Sequence, residues 1–267
     1  MKKIVFAIIA VLGVSYIQPA QAQNPKSLVI IDSYFDSKVN APNIRCITLQ
    51  NISCTDVVTG VNSSISHEFN HGNAMAEVAK RQSLSLPITL LRSTTPNRNS
   101  VSGVNAGNFI DALNWVNNNS STIGAVSVSR FFSNPNGKCS PSSINTAAYG
   151  GISRADLKIR ELITTLKSKG IPVFASTGNK RGSSIDYPAC IADTVSVTTG
   201  SLDSSGTLQS ANAMDANTDY AGDANIYSFT SPVFGLIPNT TSSSTVAVAS
   251  QYLLSGLSLT KVVRVKP

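Results

Sequence analysis

Four short, almost continuous apolar runs mark the chain, at Ser27-Leu28-Val29-Ile30-Ile31, Ile88 to Leu91, Ile123 to Val128 and Ile171 to Ala175. Each is bounded like a strand and lacks polar alternation, which suits strands covered on both faces in a parallel sheet. Between the runs lie segments with helical spacing, Ala74 to Leu84, Ala106 to Val116 and Ser153 to Lys169. The last has Ser153 as a start signal and Gly170 as a stop, so its limits are the clearest. Strands alternating with helices predict an α/β domain of three layers, a mostly parallel sheet with helices on both faces. In such sheets functional groups gather at the carboxyl ends of the strands. Asp32 ends the first run, Ser127 to Arg130 the third, and Ser176-Thr177-Gly178-Asn179 the fourth, so these polar residues are expected along one edge.

The N-terminus reads differently. Met1-Lys2-Lys3, an apolar run Ile4 to Ile17, and Ala20-Gln21-Ala22 have the order of a secretory signal peptide cut before Gln23. The run is shorter than the roughly 20 residues a membrane span needs. Residues 1–22 are therefore expected to be removed, leaving 23–267 as one domain exported to the periplasm or the medium, with no membrane partner. Only 13% of the chain is charged, and the net charge of +7 becomes +5 without Lys2 and Lys3. The basic residues, such as Arg92, Arg98, Lys138, Arg154, Lys158 and Lys180, are scattered without interleaved aromatics, which argues against a nucleic-acid partner. Cys46, Cys54, Cys139 and Cys190 are an even set, which in an exported chain favours two disulfides over a metal site. Cys46 and Cys54 flank a short segment that reads as a hairpin, so the expected pairs are Cys46–Cys54 and Cys139–Cys190. A zinc site would ask for Cys-x-x-Cys spacing, which the chain lacks.

Chemistry enters with the histidines, of which there are two, His67 and His71. A helical pattern carrying the small residues Ala74, Ala76 and Ala79 begins at His71, so this imidazole is expected at a closely packed helix start. Imidazole is the side chain best suited to general-base work near neutral pH. Nucleophilic hydrolysis needs a hydroxyl, a base, a group that orients the base, and donors for the oxyanion. Asp32 and His71 supply orienter and base. A hydroxyl-rich turn, Asn239-Thr240-Thr241-Ser242-Ser243-Ser244-Thr245, feeds a small-residue helix whose N-terminus would favour negative charge.

Four separated segments, in order, resemble the subtilisin-like serine protease family, and together they cover most of the mature chain. Asp32-Ser33 is similar to the family's Asp-Thr/Ser-Gly, and His71-Gly72 with Ala76 to its His-Gly-Thr-His-Val-Ala. Ala175-Ser176-Thr177-Gly178-Asn179 resembles Ala-Ala-Gly-Asn, and Thr241-Ser242 with Val248-Ala249 resembles Gly-Thr-Ser-Met-Ala-Ser-Pro-His-Val-Ala. Tyr187-Pro188-Ala189 and Val126-Ser127-Val128-Ser129 add to the likeness. The resemblance implies an endopeptidase acting on protein or peptide substrates through Ser242 as nucleophile, His71 as base and Asp32 as orienter, in the chain order of this family. It implies Asn179 as an oxyanion donor. It also implies substrate binding along Ser127, Val128, Ser129 and Arg130 and near Ala175, Ser176, Thr177 and Gly178.

The chain departs from the family at Tyr34, Thr240, Ser243 and Val246, where Gly, Gly, Met and Pro are usual. Thr240 matters most, because glycine reaches backbone angles that a β-branched residue does not. Only Gln23 to Ile31 separate the expected cleavage site from Asp32, too short a span for the family's inhibitory pro-segment. Folding is then expected unaided, through the disulfides, or with a separate inhibitor or folding partner. No cofactor is required by the chemistry. The family implies calcium as an option, with Asp215, Asp219 and Asp223 able to supply oxygens, but their spacing fits no EF-hand loop. The alternative is a catalytically impaired protein that keeps the cleft to bind a peptide or protein. An unrelated esterase would show a Gly-x-Ser-x-Gly elbow around Ser242, and there is none. Secretion of the full chain from a bacterial host should yield a mature protein beginning at Gln23, as read by N-terminal sequencing; retention of Met1 or Lys2 would exclude the signal peptide.

Overall fold

In the computed structural model, strand β1 (Ser27–Asp32) has a parallel partner on each side, β3 (Ile88–Arg92) and β4 (Ile123–Val128). The structure describes residues 26–32, 44–48, 63–92, 106–129, 139–141, 150–179, 185–202, 208–211, 220–223, 229–231, 235–237 and 241–255. Beyond β3 lies β2 (Ile44–Thr48), and beyond β4 lie β5 (Val173–Ser176), β6 (Val195–Leu202) and β7 (Leu208–Ala211). The pairings from β2 to β6 are parallel, β7 is antiparallel to β6, and β8 (Tyr220–Asp223) runs parallel to β6. A separate antiparallel pair joins β9 (Phe229–Ser231) to β10 (Gly235–Ile237). Because the chain adds strands first on one side of β1 and then on the other, a crevice opens at the carboxyl end of β1.

The pleat decides what faces that crevice. Successive strand residues point to opposite faces, and the core accordingly divides in two. Val29 and Ile31 of β1, with Val126, Val128, Val173 and Ala175, pack under α2 (Ala106–Asn118) and α3 (Ile152–Ser168). Leu28, Ile30, Ala125 and Phe174 pack under α1 (Ser63–Gln82) and α4 (Thr241–Ser255). Each aliphatic side chain buried this way contributes about 2 kcal/mol. The expected α/β class, with helices on both faces of a mostly parallel sheet, is the one observed.

Two helix starts differ from expectation. α1 begins at Ser63, so His71 lies about two turns inside the helix rather than at its start. The first turns, Ser63 to Asn70, are mostly polar and carry little apolar periodicity, although elongating a helix costs little once it has nucleated. α3 begins at Ile152 with Gly151 at the cap position and no side-chain cap, so Ser153 is already inside it. Its end is as expected. Gly170 adopts φ +73°, and Ile171 N–H bonds to Leu166 O at 2.9 Å, the paired closure that favours glycine after a helix. β2 runs parallel to β3; the segment expected as a hairpin after Cys46, Cys54 and the Cys46 side chain lie outside the described residues. The sequence does not mark β6 as an apolar run, because Val195-Ser196-Val197-Thr198-Thr199-Gly200 mixes hydroxyls into the pattern.

Cys139 and Cys190 form the expected disulfide, with Cα atoms 5.6 Å apart. The bond ties the chain after β4 to the chain before β6. α3 holds the same region from the other side. Thr164 and Lys167 donate to the Asp193 carboxylate at 2.6 and 2.7 Å, which holds that carboxyl below its usual range. Arg160 bridges Asp156 and the Cys139 carbonyl, and burial, with the Asp156 carboxylate beside it, pushes the Tyr187 phenol up. Breaking a 51-residue link should cost about 4 kcal/mol by loop-closure entropy. Urea unfolding of Cys139→Ala/Cys190→Ala against the parent checks this, and an unchanged midpoint would exclude it.

Candidate active site

Asp32 closes β1 on the same face as Leu28 and Ile30, beneath α1, and is wholly buried. His71 stands on α1 one turn before Met75 and two before Val78 and Ala79, which pack on that face. The two meet with His71 Nδ1 2.8 Å from Asp32 Oδ2. An ionised carboxylate only accepts, so the shared hydrogen sits on Nδ1 and Nε2 keeps its lone pair in the neutral ring. Burying a lone carboxylate costs several kcal/mol, which this bond offsets.

α4 supplies the hydroxyls. Its first ten residues, Thr241 to Ser250, are all buried, because α1 covers one side and β4, β5, β6 and β8 the other. A helix buried all round must satisfy its polar side chains internally. Thr245 and Ser250 do so by donating to the carbonyls of Thr241 and Val246 one turn back. Ser242, 1% exposed at the helix start, donates to Ser129 O at 2.8 Å. Ser129 N–H in turn bonds to Ile31 O at 3.2 Å. This residue therefore ties the start of α4 to the end of β1, next to the Asp32–His71 pair.

Asn179 follows β5 and is exposed. Its Oδ1 accepts from the Thr241 N–H at 3.1 Å and from the Thr241 hydroxyl at 3.0 Å. With the carbonyl end so held, the NH2 end is left to other partners. The turn that brings Asn179 here needs Gly178. Its φ is +100°, and a Cβ would lie 2.2 Å from Asp186 Oδ2. Asp186 is itself fixed by its N–H on Thr177 O, and Thr177 N–H on Val197 O.

The sequence-derived residues thus fall into two linked groups, Asp32 with His71 and Ser242 with Ser129, Thr241 and Asn179. One expectation is corrected. Ser127 and Val128 pair with β1 on one side and β5 on the other, so their backbone has no free edge for a substrate strand. Ala175 is likewise paired on both sides, and Ser176 pairs with Val197 of β6. Arg130, Ser33, Tyr34, Thr240, Asp215 and Asp219 lie outside the described residues, as does the Asp223 side chain. Among the described residues no cluster of three His, Cys, Asp or Glu side chains could hold a metal, and no helix is long and apolar enough to cross a membrane. Sequence reasoning missed the part Thr241 plays in anchoring Asn179, although Thr241 sits beside the singled-out serine.

No family model and no curated protein matches the sequence. Solved structures do. The chain is similar to the prenylagaramide maturation protease PagA, at 14% identity and TM-score 0.59 over 89% of this chain and 78% of that one. It is similar to the nisin leader peptidase NisP from Lactococcus lactis, at 14% identity and TM-score 0.55 over 87% and 77%. A cold-adapted subtilisin-like serine proteinase matches at 16% identity and TM-score 0.52 over 88% and 78%. The fold is subtilisin-like.

Among the described glycines of this subtilisin-like fold, Gly178 is the one where an added Cβ meets the closest contact. Gly178→Ala is expected to cost about 2 kcal/mol, a fall in Tm of about 5 °C. Differential scanning calorimetry reads it directly, and an unchanged Tm would show that the turn relaxes freely.

Proposed function

We propose that this chain is an exported serine endopeptidase that hydrolyses peptide bonds through an acyl-enzyme on Ser242. The observation that carries the reading is the buried Asp32–His71 bond at the carboxyl end of β1, linked through Ser129 to a serine at a helix N-terminus. In this reading His71 Nε2 takes the Ser242 proton as the hydroxyl attacks the substrate carbonyl, and later returns it to the leaving amine. Asp32 fixes the ring and stabilises the imidazolium. The Ser242 N–H and the Asn179 NH2 receive the oxyanion, a contribution worth roughly a hundred- to a thousandfold for the asparagine. The mechanism draws on side chains and backbone alone and asks for no cofactor. NisP and PagA are named for leader removal and peptide maturation, which supports a peptide or protein substrate here.

The Ser242 hydroxyl bonds to Ser129 O, not to His71, and this favours a second reading, an impaired protease that uses the cleft to bind. The energetics support the first reading. Turning the hydroxyl from Ser129 O to Nε2 gives up one hydrogen bond, about 1 kcal/mol net. That is roughly a fivefold effect, small beside the acceleration of a million or more that enzymes supply. The bond is compatible with activity and the endopeptidase reading stands first.

A fluorophosphonate probe, mapped by mass spectrometry, tests it. Labelling is expected at Ser242 and is expected to vanish in Ser242→Ala and to fall at least a thousandfold in His71→Ala. A folded parent protein that takes no label would overturn the endopeptidase reading in favour of the binding one.

A further inference from the structure

Ser176, at the end of β5, is wholly buried, so it cannot touch a substrate, yet it is not idle. Its Oγ is hydrogen-bonded to Thr241 Oγ1, the same hydroxyl that meets Asn179 Oδ1 at 3.0 Å. The direction of this chain of bonds follows from chemistry. Thr241 N–H, 3.1 Å from the Asn179 side chain, is a fixed donor, so the amide atom that faces it is the oxygen. An amide oxygen only accepts, so the Thr241 hydroxyl donates to it. That spends the single hydroxyl hydrogen of Thr241, which can then only accept from Ser176. The order is Ser176 Oγ–H to Thr241 Oγ1–H to Asn179 Oδ1.

Resting on the peptidase reading above, we infer that Ser176 is a positioning residue of the oxyanion site, the donor that fixes the polarity of the chain holding the Asn179 amide. Asn179 needs such help because it is exposed and is held at its carbonyl end by Thr241 alone among the described hydrogen bonds. Without the Ser176 hydroxyl, Thr241 Oγ1 loses its buried donor. Its own hydrogen is then no longer polarised by a hydrogen bond from behind. The amide retains the backbone bond, which holds one atom but leaves the plane free to swing. The NH2 group then spends less time where the oxyanion forms. Three separate elements converge in this chain: the end of β5, the Gly178 turn and the first turn of α4.

The test uses the mature protein and a peptide p-nitroanilide that the parent cleaves, with fluorophosphonate labelling of Ser242 as the entry condition. Ser176→Ala is expected to lower kcat about tenfold with KM within about twofold, a fraction of what loss of the asparagine costs. In an Asn179→Ala background the same substitution is expected to change kcat less than about twofold, since the group it acts through is gone. Ser176→Thr, which keeps the donor, should stay within about threefold of the parent. An equal loss in both backgrounds, no loss in the parent, or a Ser176→Thr variant of unchanged Tm that is as slow as Ser176→Ala would overturn the inference alone. A parent that takes no label at Ser242 overturns the peptidase reading, and this inference with it.

Discussion

A carboxylate with no exposure to water is the constraint around which this structure is arranged. Asp32 ends an interior strand of the sheet, where burial would cost several kcal/mol if nothing answered its charge. His71 answers it at 2.8 Å, which requires α1 to lie across β1 with one ridge turned down. That ridge is also the apolar one, carrying Met75, Val78 and Ala79. Hydrophobic burial and polar satisfaction therefore demand the same helix orientation, so neither is achieved at the other's expense.

The same logic explains α4. A helix opening with Thr241-Ser242-Ser243-Ser244-Thr245 would ordinarily face water, yet its first ten residues are buried. It can be buried because hydroxyls are small enough for close packing, and Thr241, Ser242, Thr245 and Ser250 find acceptors in the helix or in neighbouring segments. Those that bond backward, Thr245 and Ser250, serve the helix. Those that bond outward, Thr241 and Ser242, lock it to the Asn179 turn and to Ser129. Phe174 of β5 and Tyr252 of α4, with ring centroids 5.6 Å apart, fix the helix further along. Bonds from Thr241 and Ser242 to neighbouring segments thus convert a hydroxyl-rich stretch into a placed site, with Gly178 making room for Asp186 behind it.

Much of the frame was legible because parallel strands covered on both faces read as plain apolar runs. β1, β3 and β4 stand where the runs at Ser27, Ile88 and Ile123 placed them. The Gly170 stop was equally legible, since a glycine after a periodic segment has a local steric meaning. The start of α1 was not, because Ser63 to Asn70 lack the apolar spacing that marks a helix. The start of α3 was misjudged because a serine near a helix start satisfies the pattern whether or not its side chain caps anything.

The sequence by itself determined which residues could carry hydrolytic chemistry, their order along the chain, and the strand ends on which Asp32, Ser129 and Asn179 sit. Side-chain type and strand periodicity are local properties, and local properties survive in a string of letters. Only the tertiary structure decided that Ser127 and Val128 are closed off by ladders on both edges and that the Ser242 hydroxyl rests on Ser129 O. It alone placed the buried Ser176 hydroxyl against that of Thr241. Each of these depends on which strand lies beside which and on where a hydroxyl finds its nearest acceptor, distances set by packing between segments as many as 113 residues apart.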